Sequence, residues 1–246
     1  MAADILLHKG MSRVMLPSSF TEKIQPYIIQ PLKRPLKIKE KKWIKAVNSI
    51  SLIKKVDSAA AGLEFDLYLD TLKNKFFVYH DSSGVSNESI EQLLSVYKNR
   101  GLKSSLWFDL KNISTLNCKK AIVLLDALDD SFSLKEKTII ETSVATCLTP
   151  LFHAGYFTSF YVPFFNPYEM KENDFIRTID SVAVLLIKYP ACALSGYYFQ
   201  YPALKKFFPN YPLLTWSDVS YSSVVSLIFN HSLRNDSMVK VILYNR

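Results

Sequence analysis

From Trp43 onward, short β-rich runs bounded by turn residues alternate with longer stretches of helical period. That alternation restricts the chain to βα units packed around a parallel sheet. The spacing predicts strands over 43–47, 62–68, 75–80, 105–110, 138–142, 157–162, 192–197 and 212–216. Between them, 50–56, 90–97, 121–128, 179–187 and 224–229 carry apolar residues at helical spacing, as helices covering a sheet do. Eight strands in a chain of 246 residues match a single (β/α)8 barrel of the TIM type, which commonly takes about 250 residues. A further apolar run, 239–244, makes a ninth strand, so either it lies outside the barrel or one of the eight does.

The chain has apolar surface enough for such a core, at 49% hydrophobic and 13% aromatic residues, and its 6 glycines exclude a disordered or linker-rich array. No fixed-period repeat is present, which removes solenoids and propellers. Cys118, Cys147 and Cys192 are far apart and have no CxxC or Cys/His spacing, so neither a disulfide framework nor a zinc site is expected. No apolar run approaches the 18 residues of a membrane span, and no signal-peptide order is seen at the start. The expected location is cytoplasmic.

Residues 1–42 form a basic N-terminal extension ahead of a barrel domain over 43–246. The extension holds nine Lys or Arg against three acids, which is +6 of the formal net charge of +8. Pro17, Pro26, Pro31 and Pro35 discourage a continuous helix, leaving an extended or partly helical lead-in. Such an arm is either a solvated tail or a contact for an anionic membrane surface, which would make the protein peripheral to membranes. Nucleic acid is the less expected partner, because the aromatic interleaving of a single-strand groove is missing.

In a parallel barrel the chemistry sits where strands end, so polar residues closing apolar strands are the candidates. In Gly62-Leu-Glu64-Phe-Asp66-Leu the strand alternation puts both carboxylates on one face. Two like charges there call for a cation, and oxygen donors suit Mg²⁺ or Ca²⁺. Phe76-Phe-Val-Tyr-His80 closes on a histidine able to exchange a proton near neutral pH. Leu106-Trp-Phe-Asp109-Leu-Lys111 places an acid and a phosphate-binding lysine on one face, and Glu141 in Thr138-Ile-Ile-Glu141 adds a further carboxylate. Taken singly, these are also the residues of solvated faces and structural ion pairs. Tyr197, Tyr198 and Trp216, near later strand ends, either line a pocket or, as the default expectation, pack the barrel or its rim.

The order Glu-x-Asp, a strand ending His-Asp, then acid-x-Lys resembles the glycerophosphodiester phosphodiesterase superfamily, which includes sphingomyelinase D-type phospholipases and menorin-like proteins. The match is strongest over 43–111, where Trp43-Ile-Lys45-Ala-Val-Asn48-Ser49 is similar to the family's opening strand and loop. The resemblance implies a (β/α) barrel that hydrolyses a glycerophosphodiester or phospholipid-headgroup phosphodiester with a divalent metal. It implies Glu64, Asp66 and Asp109 as metal ligands with Glu141 as a further one, His80 as one of two catalytic histidines, and Lys111 as the lysine of acid-x-Lys. The other histidine is replaced by Lys45. That departure leaves open an enzyme in which Lys45 binds a phosphate oxygen or, if burial and neighbouring cations lower its pKa, acts as a base, and a degenerate barrel that only binds a phosphate ligand or partner.

Overall fold

The computed structural model describes residues 24–79, 87–216 and 231–245. The described residues form nine strands: β1 (Lys42–Ile44), β2 (Gly62–Asp70), β3 (Lys75–Val78), β4 (Ser105–Leu110), β5 (Thr138–Thr142), β6 (Phe157–Tyr161), β7 (Ala193–Tyr197), β8 (Leu213–Trp216) and β9 (Val239–Tyr244). Their order is β1-β9-β8-β7-β6-β5-β4-β2-β3, and a pairing of Ile44 with Leu63 joins β1 to β2. Eight parallel strands therefore close on themselves. The helices α1 (Ile50–Lys54), α2 (Ile90–Asn99), α3 (Cys118–Phe132), α4 (Leu148–His153), α5 (Glu172–Lys188) and α6 (Tyr201–Phe207) lie between them in sequence. The result is the expected (β/α)8 barrel. The helical run expected over 224–229 lies outside the described residues.

The extra strand is the third, which corrects its reading as part of the barrel. β3 pairs with β2 antiparallel, Leu67 opposite Val78 through Asp70 opposite Lys75, and the last run, β9, takes the eighth place between β8 and β1. Only residues 71–74 separate β2 from β3, and a parallel crossover needs a dozen or more. The turn is built locally: Asp70 Oδ1 accepts the N–H groups of Leu72 and Lys73, each at 2.9 Å, and Asn74 takes the left-handed conformation at φ 55°.

The pleat separates two cores. Outward residues Leu63, Phe65, Leu67, Leu106, Phe108 and Leu110 pack under α1, α2 and α3, while Phe160, Leu194 and Leu213 pack under α5 and α6. Burying each such large apolar side chain stabilises the fold by roughly 1.5–3 kcal/mol. Inward residues Trp43, Trp107, Ile139, Ala193, Leu214 and Val241 fill the barrel itself. Residues 24–41 run extended beneath it, where Leu32, Leu36 and Ile38 pack against the inward cluster. Leu32 N–H donates to Ala191 O at 2.9 Å, and Ser105 Oγ donates to Lys37 O at 2.9 Å.

Gly62 admits the Trp43 indole to the barrel axis, since a Cβ on Gly62 would lie 2.0 Å from the ring. Trp43 is 1% exposed and its indole N–H is taken by Glu40 O at 2.9 Å, so it has little room to retreat. Gly62→Ala is expected to overpack the barrel and lower stability by about 1–3 kcal/mol or more. Urea unfolding followed by tryptophan fluorescence will show this as a lower midpoint.

Candidate active site at the mouth of the barrel

Because the eight strands run parallel, their C-terminal ends meet at one mouth, and each sends at least one side chain into it. The cavity there is lined by Lys45 just past β1, Glu64 and Asp66 from β2, Asp109 (β4) with Lys111 just beyond it, and Glu141 from β5. Tyr161 (β6), Tyr197 (β7), Trp216 (β8) and Leu243 (β9) complete the ring. Charged groups occupy one half of the mouth and aromatic or apolar groups the other. The cavity volume is ≈ 80 Å³, room for a phosphate-sized group and a few waters rather than for an acyl chain.

The acids are held by local structure. β1 ends in a strained turn, with Ala46 at φ 55° and its N–H donated to Glu64 Oε2 at 2.5 Å. Val47 N–H then rejoins β2 at Glu64 O, 2.8 Å away. Asn48 grips Asp66 twice: its amide donates to Asp66 Oδ2 at 2.5 Å, and its oxygen accepts the Asp66 N–H at 2.9 Å. Parallel pairing sets Asp66 beside Asp109 and Asp109 beside Glu141, which aligns the acids of three strands at one level.

Glu64, Asp66 and Asp109 each offer a carboxylate oxygen within 4.8 Å of the others. Glu141 lines the same cavity but is not part of that set; its Oε2 is buried without a hydrogen-bond partner. Lys111 reaches back between two of the three, with Nζ 2.7 Å from Asp66 Oδ1 and bonded to Asp109 Oδ2. Four carboxylates thus face two ammonium groups, and full ionisation leaves an excess of two negative charges. A divalent cation balances it, and an all-oxygen donor set suits a hard ion such as Mg²⁺ or Ca²⁺. The residues present fit the metal.

The titration behaviour follows from that excess. Burial and then the neighbouring Asp66 charge push the Glu64 carboxyl well above its ordinary range, against the pull of the Ala46 N–H. Glu141 is raised in the same direction by burial and then by Asp109; Ser195 and Trp107 approach it closely enough to soften the effect, short of hydrogen-bond geometry at Oε2. Burial works against the Lys111 ammonium, but Asp109 and Asp66 more than reverse it and hold the group above its usual value.

The mouth brings together Lys45, Glu64, Asp66, Asp109, Lys111 and Glu141 of the sequence-predicted residues. His80 lies outside the described residues. Tyr197 and Trp216 line the cavity, whereas Tyr198 is buried in a separate cluster with Leu233, Val239 and Ile242. Tyr161, Leu243 and the gripping role of Asn48 were not evident from sequence. Tyr161 is signalled only by its place at the end of β6, once the register of that strand is known.

Two outcomes follow. Carboxyls raised above their unfolded values add stability at low pH and lose it as pH rises through the unfolded and then the folded value. Glu64→Gln removes that ionisation and keeps an acceptor for Ala46, so with chelator at pH 8 it is expected to melt a few degrees higher than the parent, with the gap closing at pH 5. Lys111→Met leaves Asp66 and Asp109 without their ammonium and is expected to cost about 3–5 kcal/mol in chelator, with partial rescue by Mg²⁺ or Ca²⁺. Calorimetry with and without the ion reads both.

No protein-family model and no curated protein matches the sequence, but solved structures share the fold. A glycerophosphodiester phosphodiesterase from Parabacteroides distasonis superposes with a TM-score of 0.56 at 17% identity, covering 84% of this chain and 93% of its own. A phosphodiesterase from Oleispira antarctica, crystallised in complex with the product sn-glycerol-3-phosphate, gives 0.53 at 9% identity, with 83% and 92% covered. The chain therefore has the (β/α) barrel fold of these phosphodiesterases.

Proposed function

We propose that this protein is a divalent-metal-dependent phosphodiesterase acting on a glycerophosphodiester or a phospholipid headgroup. The observation that carries the reading is the convergence of Glu64, Asp66 and Asp109, within 4.8 Å of one another, beside Lys45 and Lys111 in a cavity of phosphate size. The fold neighbours, one holding sn-glycerol-3-phosphate, support the same substrate class.

Glu64, Asp66 and Asp109 would hold the ion, which supplies Lewis-acid polarisation of a phosphoryl oxygen. Ala46 and Asn48 fix two of those carboxylates, so the ligand set is oriented before any substrate arrives. Lys111 and Lys45 bind the remaining phosphoryl oxygens and stabilise the charge that develops there. An ammonium facing carboxylates is suited to this role rather than to that of a base. Tyr161, Tyr197 and Trp216 form an edge-to-face wall, with ring centroids of Trp216 5.2 Å from Tyr161 and 4.9 Å from Tyr197, against which the organic part of the substrate lies. His80 is assigned the proton given to the leaving oxygen.

A second reading keeps the barrel and drops the turnover. Lys45 stands at the end of β1, where the family resemblance expects a histidine, so the site would then only bind phosphate-bearing ligands. Assays with glycerophosphodiesters and Mg²⁺, Mn²⁺ or Ca²⁺ separate the two. Metal-dependent turnover lost in Glu64→Ala and Asp109→Ala, and reduced about 10²–10⁴-fold in His80→Ala, is the expected result. Turnover absent from the parent but gained in Lys45→His would favour the binding protein.

A further inference from the structure

The mouth accounts for the acids but leaves the basic segment ahead of β1 unused. Along Leu32-Lys-Arg-Pro-Leu-Lys-Ile-Lys39 burial alternates: Leu32, Arg34, Leu36 and Ile38 turn toward the barrel, and Lys33, Lys37 and Lys39 turn outward. Three lysines thus project outward over about 20 Å, at the two-residue period of a strand; Lys37 lies 3.9 Å from Glu136 Oε2 in a pair whose side chains are both 87% exposed, and such exposed pairs are weak enough for an anionic surface to compete with. The segment crosses the N-terminal ends of the barrel strands, tied to Ala191 before β7 and to Ser105 at the start of β4, and it lies beside Phe157 at the start of β6, Pro212 just before β8 and Lys240 near the start of β9. It therefore lies at the end of the barrel opposite the catalytic mouth.

Beside this row is a groove of ≈ 470 Å³, lined by Arg34, Lys39, Lys41 and Lys240 against the single acid Glu40, with Leu36, Ile38, Phe157 and Pro212 as its apolar members. Among the described residues the groove's four cations outnumber its one acid, Glu40. Arg34 donates to Phe152 O and lies over the Phe152 ring, and Lys41 donates to the carbonyls of Arg234 and Asp236, all of which satisfy hydrogen bonds without cancelling charge. Lys41 is held below its usual range by its burial and then by Lys240, a further mark of crowded positive charge. Ile28, on the same segment, is 69% exposed.

We infer that this end of the barrel is a docking surface for an anionic lipid bilayer. A row of ammonium groups meets lipid phosphates, while Ile28 and the apolar groove accept glycerol and upper acyl carbons. Along 32–39 no aromatic side chain alternates with the lysines for successive bases to stack on, and the one ring in the groove, Phe157, sits among Leu36, Ile38 and Pro212, so a nucleic acid would satisfy the cations alone. Docking through this end turns the mouth to the water. Resting on the phosphodiesterase reading, that orientation selects a water-soluble glycerophosphodiester over a lipid still in the bilayer.

The test uses the full chain and the triple variant Lys33→Ala/Lys37→Ala/Lys39→Ala, whose three side chains are exposed and remote from the mouth. The parent is expected to sediment with vesicles containing phosphatidylserine or phosphatidylglycerol, not with pure phosphatidylcholine, and to be released by 1 M salt. The triple variant should bind about 100-fold more weakly, at roughly five-fold per lysine, with an unchanged melting curve. Turnover of a soluble glycerophosphodiester should be the same for the two proteins, whether free or on vesicles. Equal binding to neutral vesicles, parent-like binding of the variant, or tighter binding to nucleic acid than to anionic vesicles at the same salt would overturn the inference. Sedimentation is read without turnover, so loss of the phosphodiesterase reading would leave this result standing.

Discussion

Closure of the sheet is the constraint from which the rest follows. An open sheet would leave the ends of β1 and β3 as separate edges, with Lys45 far from Asp109. The pairing of β1 with both β2 and β9 turns eight strands into a ring in which each must point alternate side chains at a shared axis. That axis is crowded by Trp43 and Trp107, both essentially buried, and the crowding requires glycine at position 62. Above the tryptophans, the same alternation leaves no choice but to direct Glu64, Asp66, Asp109 and Glu141 into one space.

Concentrating four carboxylates where water is scarce is unfavourable unless charge is supplied. Lys111 supplies part of it, bridging Asp66 and Asp109, and the carboxyls of Glu64 and Glu141 respond by holding their protons to higher pH. A site in this condition favours a hard divalent cation because the ion relieves repulsion already built into the fold. The strained Ala46 turn and the two hydrogen bonds of Asn48 keep the acids aligned.

The two ends of the barrel carry opposite charge character. The mouth gathers acids on one side and aromatic rings on the other, while residues 32–41 lay lysines across the far end. Both arrangements use the period-two geometry of extended chain. In the strands it directs carboxylates inward, and in the lead-in segment it directs ammonium groups outward while Leu36 and Ile38 cover the barrel floor.

Local pattern was sufficient for the strands 105–110, 138–142 and 239–244, whose predicted and observed limits coincide, because short runs rich in β-branched and aromatic residues bounded by turn residues admit little else. Alternation within β2 and β4 likewise placed Glu64 with Asp66, and Asp109 with Lys111, on shared faces. What the sequence by itself could not decide was which of nine strands close the ring. That depends on pairing partners distant in the chain, and only the four-residue turn after Asp70 marks β3 as a hairpin partner rather than a barrel strand. Nor could it bring Tyr161, Tyr197 and Trp216 to the same cavity as Glu141, since their meeting rests on the register of four neighbouring strands. Residue type and spacing determined the chemistry available at each strand end; barrel closure, a property of the whole sheet, determined that those ends share one mouth.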